Sequence, residues 1–415
     1  MQDSSQNNTY KHIENLSELI MKKILRFPLL MAVSVVIGLS ATSCSDSNNN
    51  GTEEDTKEVE LAPVVKQYVN NTVITTYKSL ADESIVLYNA LVALKKDKTD
   101  ANVKAAADSW IKARNYWELS EAFLFGPADD FGIDPHIDTW PLAKDALIAE
   151  LKNKDHLAKM AQENGDIWVG ETFEEGLFGF HGIEYILFEE GQAKSASKIT
   201  DDELIYVVAV AGDLRNQCFR LEASWAGINN VTAEKKAKLI AMDAAITYGS
   251  GDDSKNNDTN YSYGECMLNP GLTAFSNSNV DACETILDGC QTIADEVGAM
   301  KIGKPHTGDD INYIESPYSY NSKIDFIGNI ESIRNAYLGG ADSKNRGASV
   351  ADYVKKVDPS LHAEVIAAID NAVAKITAIP FPFAKNYTST QAGEAMVACN
   401  ELADVLTKAK LTIRK

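Results

Sequence analysis

Cysteine, histidine and positive charge are all scarce in this 415-residue chain, and each shortage narrows what it can be. Lys and Arg number 39 against 60 Asp and Glu, for a formal net charge of -21. Nucleic acid and anionic lipid surfaces are thereby excluded as partners, because either needs clustered cations. Beyond Cys44, the cysteines are Cys218, Cys266, Cys283, Cys290 and Cys399, an odd set with neither a CxxC pair nor zinc-finger spacing. A disulfide framework is not expected. Cys283 and Cys290 lie on one helical face, about 10 Å apart by helical rise, too far to bond, and read as core. HExxH is absent, and His136, His156, His306 and His362 are scattered, so no second imidazole stands near His181 in sequence. No alternating apolar and polar run of useful length predicts a sheet.

The N-terminus carries a targeting pattern. Lys22, Lys23 and Arg26 precede an apolar run from Phe27 to Leu39 that is too short to span a bilayer, which marks an export signal. The run ends in Ala41-Thr42-Ser43-Cys44, similar to a bacterial lipobox, so Cys44 is expected to be the lipidated first residue of the mature protein. The alternative is an ordinary secretory leader with an incidental cysteine. Met21 opens the pattern better than Met1, and residues 1–20 read as a mis-called start, 21–43 as the signal peptide. Residues 44–58 are polar and acidic and read as a flexible tether.

From residue 59 onward the periodicity is helical. Val69, Val73, Tyr77, Leu80, Leu87, Leu91 and Leu94 form one stripe, and Leu204, Val207, Ala211, Leu214, Cys218, Leu221 and Trp225 another. Thr200 with Glu203 predicts a capping box for the second. Val280, Cys283, Leu287, Cys290 and Val297 make a third stripe. Phe326, Ile330, Ile333 and Tyr337 make a fourth, with Ser322 and Asp325 at cap spacing. Two helices fit 359–378 and 387–410, separated by Ile379-Pro380-Phe381-Pro382-Phe383. A Gly, Ser and Asp-rich loop at 249–258 suggests two bundles, 59–228 and 229–415.

One stripe is anomalous. Val103, Ala107, Trp110, Arg114, Trp117, Glu121 and Leu124 share a face, which puts two charges toward the core. A lone buried charge costs several kcal/mol, so Arg114 and Glu121 must pair, meet charges from elsewhere, or border a wet cleft.

The densest chemical signal is Gly176-Leu177-Phe178-Gly179-Phe180-His181-Gly182-Ile183-Glu184. Three residues apart on a helix, His181 and Glu184 share a face and could bind one metal ion or exchange a proton. A zinc centre needs a third ligand from a distant segment, with Glu121 the candidate. The glycines, each about 1 kcal/mol worse than Ala within a helix, imply a close approach by backbone or ligand. A second polar segment runs from Ile314 to Phe326, where Glu315, Ser316 and Ser319 cluster at a turn before a helix whose N–H groups point outward.

Gly179-Phe180-His181-Gly182-Ile183-Glu184 matches the GxHxxE signature of the imelysin family, also classed as peptidase M75. Four other segments are similar to the same family in the same order: Trp110 to Tyr116 with Glu121-Ala122-Phe123, Trp140-Pro141-Leu142, Glu315 to Ser319 with Asp325-Phe326, and Ile379 to Phe383. The resemblance implies an all-α fold of two helical-bundle lobes with the signature facing a cleft between them. It also implies a bacterial envelope protein, frequently a lipoprotein and frequently linked to iron acquisition. The family was first described as metallopeptidases with the HxxE pair as metal ligands, whereas other members bind metals or ligands without proteolysis.

With so few ligands and no obvious general base, binding ranks ahead of peptidase chemistry. The expected function is binding of iron or zinc, or of a metal-containing or other polar ligand, in the inter-lobe cleft during iron uptake. His181, Glu184 and Glu121 are the expected metal ligands, and Arg114, Gly179, Glu315, Ser316 and Ser319 are expected to line the ligand site. Lipid anchoring through Cys44, a part alongside envelope transport components, and an outer-membrane location complete the expectation. A zinc-type peptidase using His181, Glu184 and Glu121 is the first alternative, and a structural subunit of a surface complex the second.

Overall fold

The three-four stripes fold as helices, and the computed structural model describes residues 53–249, 260–272 and 277–415. Helix α1 (Glu53–Gln67) runs through a π-helical segment, Tyr68–Val73, into α2 (Ile74–Lys96). Thr99 caps α3 (Asp100–Glu118) by accepting from Asn102 N, and a short α4 (Ile133–Asp138) follows. The signature forms α5 (Gly179–Leu187). Next comes α6 (Asp201–Ala226), with the Thr200–Glu203 capping box in place. Helix α7 (Asn279–Asp295) passes into a second π-helical segment, Glu296–Ile302. The chain closes with α8 (Ser322–Leu338), α9 (Pro359–Ala378) and α10 (Thr390–Ile413). Strand is confined, among the described residues, to two antiparallel pairs of two-residue strands.

Helix α2 packs on α3 and α6, while α7, α8, α9 and α10 pack on one another. The two groups meet where α8 lies on α3 and where α7 lies on the 3-10 turn Glu121–Phe123. Their apolar side chains form one continuous core, and residues 51–415 make one compact unit. Trp110, Trp117 and Trp225 are buried in it. Each contributes on the order of 5 kcal/mol if it removes roughly 200 Å² from water at about 25 cal/mol per Å².

Three local expectations are corrected. Residues 53–58 of the expected tether are helical, and Glu58 accepts from Asn279 N (2.6 Å) and Val280 N (3.2 Å), capping α7. Helix α1 accordingly packs on α7, within the later helical group, although residues from 59 onward were expected in the first bundle. Helix α8 is preceded by Asn321 with no side-chain cap, because the Ser322 hydroxyl donates instead to the Glu315 carbonyl oxygen (2.5 Å). That buried carbonyl would otherwise lack a partner.

Cys218, Cys266, Cys283, Cys290 and Cys399 are buried, and none is joined in a disulfide among the described residues. No helix among the described residues is long and apolar enough to cross a membrane. Residues 1–20, the leader at 21–43, Cys44, most of the tether and residues 250–258 of the Gly249–Asp258 loop lie outside the described residues.

Candidate functional site

The anomalous stripe on α3 explains itself at Arg114. Its guanidinium is fully buried and pairs with Glu118 one turn on (2.6 Å), with Asp138 at the end of α4, and with Glu315 (2.5 Å). Asp325 lies 3.9 Å from its Nε. Glu121 is not among these partners: α3 ends at Glu118, and Glu121 turns away in the 3-10 turn to face Lys301 Nζ at 3.6 Å. Of the alternatives for a charge on the core face, both residues meet charges from elsewhere.

Helix α5 begins at Gly179, whose φ of +74° and whose approach to Ile137 leave no room for a side chain: a Cβ would stand 2.3 Å from the Ile137 carbonyl oxygen. Gly182 meets the Tyr206 hydroxyl just as closely, while that hydroxyl donates to the Leu177 carbonyl (2.5 Å). The glycines therefore let α5 press against α4 and α6. This fixes His181 against Asp138.

His181 is buried, with Nδ1 3.2 Å from Glu184 Oε2 and Nε2 3.3 Å from Asp138 Oδ1. The second contact falls outside hydrogen-bond geometry, so Nε2 is a buried nitrogen without a hydrogen-bond partner among the described residues. Burial disfavours the imidazolium, but the Asp138 and Glu184 carboxylates outweigh it and hold the His181 pKa up at about 9. Burial acts to raise Asp138, but Arg114, His181 and Lys301 together outweigh it and hold the carboxyl well below the usual range. Its other oxygen accepts from Trp117 Nε1 (2.7 Å).

Glu184 has a different task. Its Oε1 accepts from Tyr318 N (3.0 Å), Ser319 N (2.8 Å) and the Ser319 hydroxyl (2.8 Å). The outward N–H groups expected to receive a ligand are thus taken by a carboxylate of this chain. In the same loop, Ser316 adopts φ +48° and donates to Asp325 Oδ2 (2.6 Å), and Glu315 meets Lys301 Nζ at 3.3 Å as well as Arg114. Glu315 Oε2 is buried without a hydrogen-bond partner among the described residues.

Among the described residues, the carboxyl groups of Glu118, Glu121, Asp138, Glu184, Glu315 and Asp325 thus meet two permanent cations, Arg114 and Lys301, and one imidazole. The surplus shows in the proton affinities. Burial raises Glu118 and Glu121 well above the usual range despite Arg114 and Lys301, and lifts Asp325 to about 6. Such a group gains from an added cation.

Ligand atoms converge within 4.8 Å in two sets, Asp138 with His181 and Glu315, and Glu118 with Glu121 and Asp138. Neither is the expected set of His181, Glu184 and Glu121. Arg114 and Lys301 reach carboxylates of both sets, and only the first contains an imidazole. The first offers one imidazole and two carboxylates, with the unpartnered atoms His181 Nε2 and Glu315 Oε2. That donor chemistry fits a divalent transition-metal ion. Of the residues singled out in the sequence, Arg114, His181, Glu184, Glu315, Ser316 and Ser319 come together, and Gly179 shapes the approach. Asp138, Glu118, Lys301 and Asp325 were not foreseen as site residues. Glu118 stands four after Arg114, an ion-pair spacing, and Lys301 continues the Val297 face by four.

A cavity of about 270 Å³ reaches His181 from outside, lined by Trp140, Pro141, Leu142, Ile311, Asn312, Ile314, Pro317 and Tyr318.

Comparison with known proteins agrees with this architecture. The chain is 26% identical over 333 residues to iron-regulated protein A of Synechococcus elongatus, covering 80% of each chain. It superposes on the crystal structure of an iron-regulated protein A precursor from Parabacteroides distasonis with a TM-score of 0.71 at 28% identity, over 86% of this chain and 95% of that one. An imelysin-like protein from Psychrobacter arcticum shares the fold, with a TM-score of 0.51 at 15% identity over 88% of this chain and 95% of that one. The family model for imelysin, peptidase M75, matches residues 73–409, and with the all-helical fold and the buried GxHxxE helix this chain belongs to the imelysin family.

Proposed function

We propose that this protein binds a metal ion at Asp138, His181 and Glu315, as a component of iron acquisition at the cell envelope. The observation that carries the reading is His181 Nε2, a buried nitrogen 3.3 Å from Asp138 and without a hydrogen-bond partner among the described residues, converging with the Asp138 and Glu315 carboxylates. Metal binding would displace the imidazole proton, a net gain of one positive charge beside the carboxylates of Asp138 and Glu315. The iron-regulated names of the relatives support the cellular setting.

Peptidase chemistry draws less support. A zinc-bound water needs a nearby general base, and Glu184 spends one oxygen on three donors and faces His181 with the other. The signature divides its labour in this reading: His181 serves the ligand, and Glu184 secures the loop.

Calorimetric titration of the purified protein with Fe(II) under anaerobic conditions, and with Zn(II), tests the proposal. Saturable 1:1 binding is expected, lost in His181→Ala and Glu315→Gln and retained in Glu184→Gln. Absence of binding by the wild type would overturn it. The envelope anchor rests on Cys44, and palmitate labelling abolished by Cys44→Ser is the expected result.

A further inference from the structure

We infer that the cavity above His181 holds a small polycarboxylate chelator, so that the metal is bound as a ternary complex of protein, ion and organic anion. The inference rests on the metal reading above and adds the class of co-ligand.

Three protein donors leave coordination positions of an ion open. Trp140 leads from this group to the cavity: its ring lies 6.2 Å from that of His181, and Lys301 Nζ lies 5.1 Å from its centre. The cavity's polar groups can all donate. Trp140 Nε1 is a buried donor with no acceptor among the described residues. Burial lifts the Tyr318 phenol to about 12, so it keeps its proton. Asn312 adds an exposed side-chain amide.

What the lining lacks separates it from three other cavities among the described residues. The cavity at Glu121, Asp134 and Glu296, the one at His136 and Asp213, and the one at Glu394 and Glu401 all carry carboxylates, whereas this lining carries none. An acceptor-rich anion meets donors here and repulsion there. Trp140, Pro141, Leu142, Ile314 and Pro317 provide apolar walls that exclude water from the chelate. At about 270 Å³ the space falls just below the roughly 300–1,000 Å³ of sites for drug-sized ligands, which favours a compact chelator.

Equilibrium dialysis with radiolabelled citrate as the probe tests the inference, using wild-type protein with and without one equivalent of Zn(II) or Fe(II), and the Trp140→Phe and His181→Ala variants. Metal-loaded wild type is expected to retain one citrate per protein, and metal-free protein and His181→Ala none. Trp140→Phe, with its fold checked by a thermal melt, is expected to weaken citrate retention at least tenfold. If metal binds but citrate is not retained, the ternary complex is overturned and the metal reading stands. Equal retention with and without metal overturns it in favour of an independent anion site. Loss of metal binding in the wild type removes both readings.

Discussion

Ser319 grips Glu184 twice through one oxygen, with its N–H and its hydroxyl each 2.8 Å from Glu184 Oε1. The bond pair joins the signature helix to a loop 135 residues later, so half of the GxHxxE pattern is a clasp.

Removing that clasp leaves half-buried donors short of an acceptor, at up to about 1–3 kcal/mol for a group fully deprived of a partner. Glu184→Ala is expected to lose about 3 kcal/mol in urea unfolding, and Glu184→Gln about 1 kcal/mol because an amide oxygen still accepts. Equal stability of both variants and the wild type would show that the clasp contributes nothing.

Arg114 offers a larger effect. Breaking a buried ion pair from one side costs about 3–5 kcal/mol, because the abandoned charge remains desolvated. Arg114→Met leaves the Asp138 and Glu315 carboxylates without their guanidinium partner. Its destabilisation should fall in this range at pH 7 and shrink in acid as the carboxylates protonate, as read by chemical denaturation at several pH values.

His181 gives the metal-free protein a signed pH dependence. Its folded pKa of about 9 lies above the ordinary 6.5, so the folded state holds the proton more tightly. That stabilisation is complete below pH 6.5 and is lost as pH rises through about 9. The gap corresponds to about 3 kcal/mol. Urea midpoints of the wild type should decline across this window more steeply than those of His181→Gln, and parallel curves would refute the assignment.

Gly179 and Gly176 form a matched pair for the close approach of α5. Both have positive φ, yet a Cβ at Gly176 meets its neighbours at an ordinary 3.6 Å, against 2.3 Å at Gly179. Gly179→Ala should cost about 3 kcal/mol and Gly176→Ala about 1 kcal/mol, compared by thermal melts.

Helices were legible wherever three-four spacing persisted, as in α6 with its capping box and α9, whose expected limits match the observed ones. Arg114 was legible as a charge on a core face. Its partners were harder to read because they arrive from segments without periodicity. Asp138 ends a six-residue helix in an acidic stretch, where nothing separates it from its neighbours in sequence. Lys301 continues the Val297 stripe by four, but a lysine at the end of a helical run reads as a solvated cation rather than a buried one. Glu121 misled because the stripe was extended past Glu118, where the helix stops. A resemblance in five ordered segments identified the family, but it could not divide His181 from Glu184, since only tertiary contacts reveal which atom of each is spent.

The buried charge group draws on α3, α4, α5, the π segment after α7 and the loop before α8, a span from Arg114 to Asp325. No one of these segments can desolvate its charge alone. A partly folded chain that brings some of them together and leaves others in solvent carries unbalanced ions in a nonpolar setting and is penalised. The cluster therefore ties early and late parts of the chain together, since the loss of any one segment strands buried charge on the others.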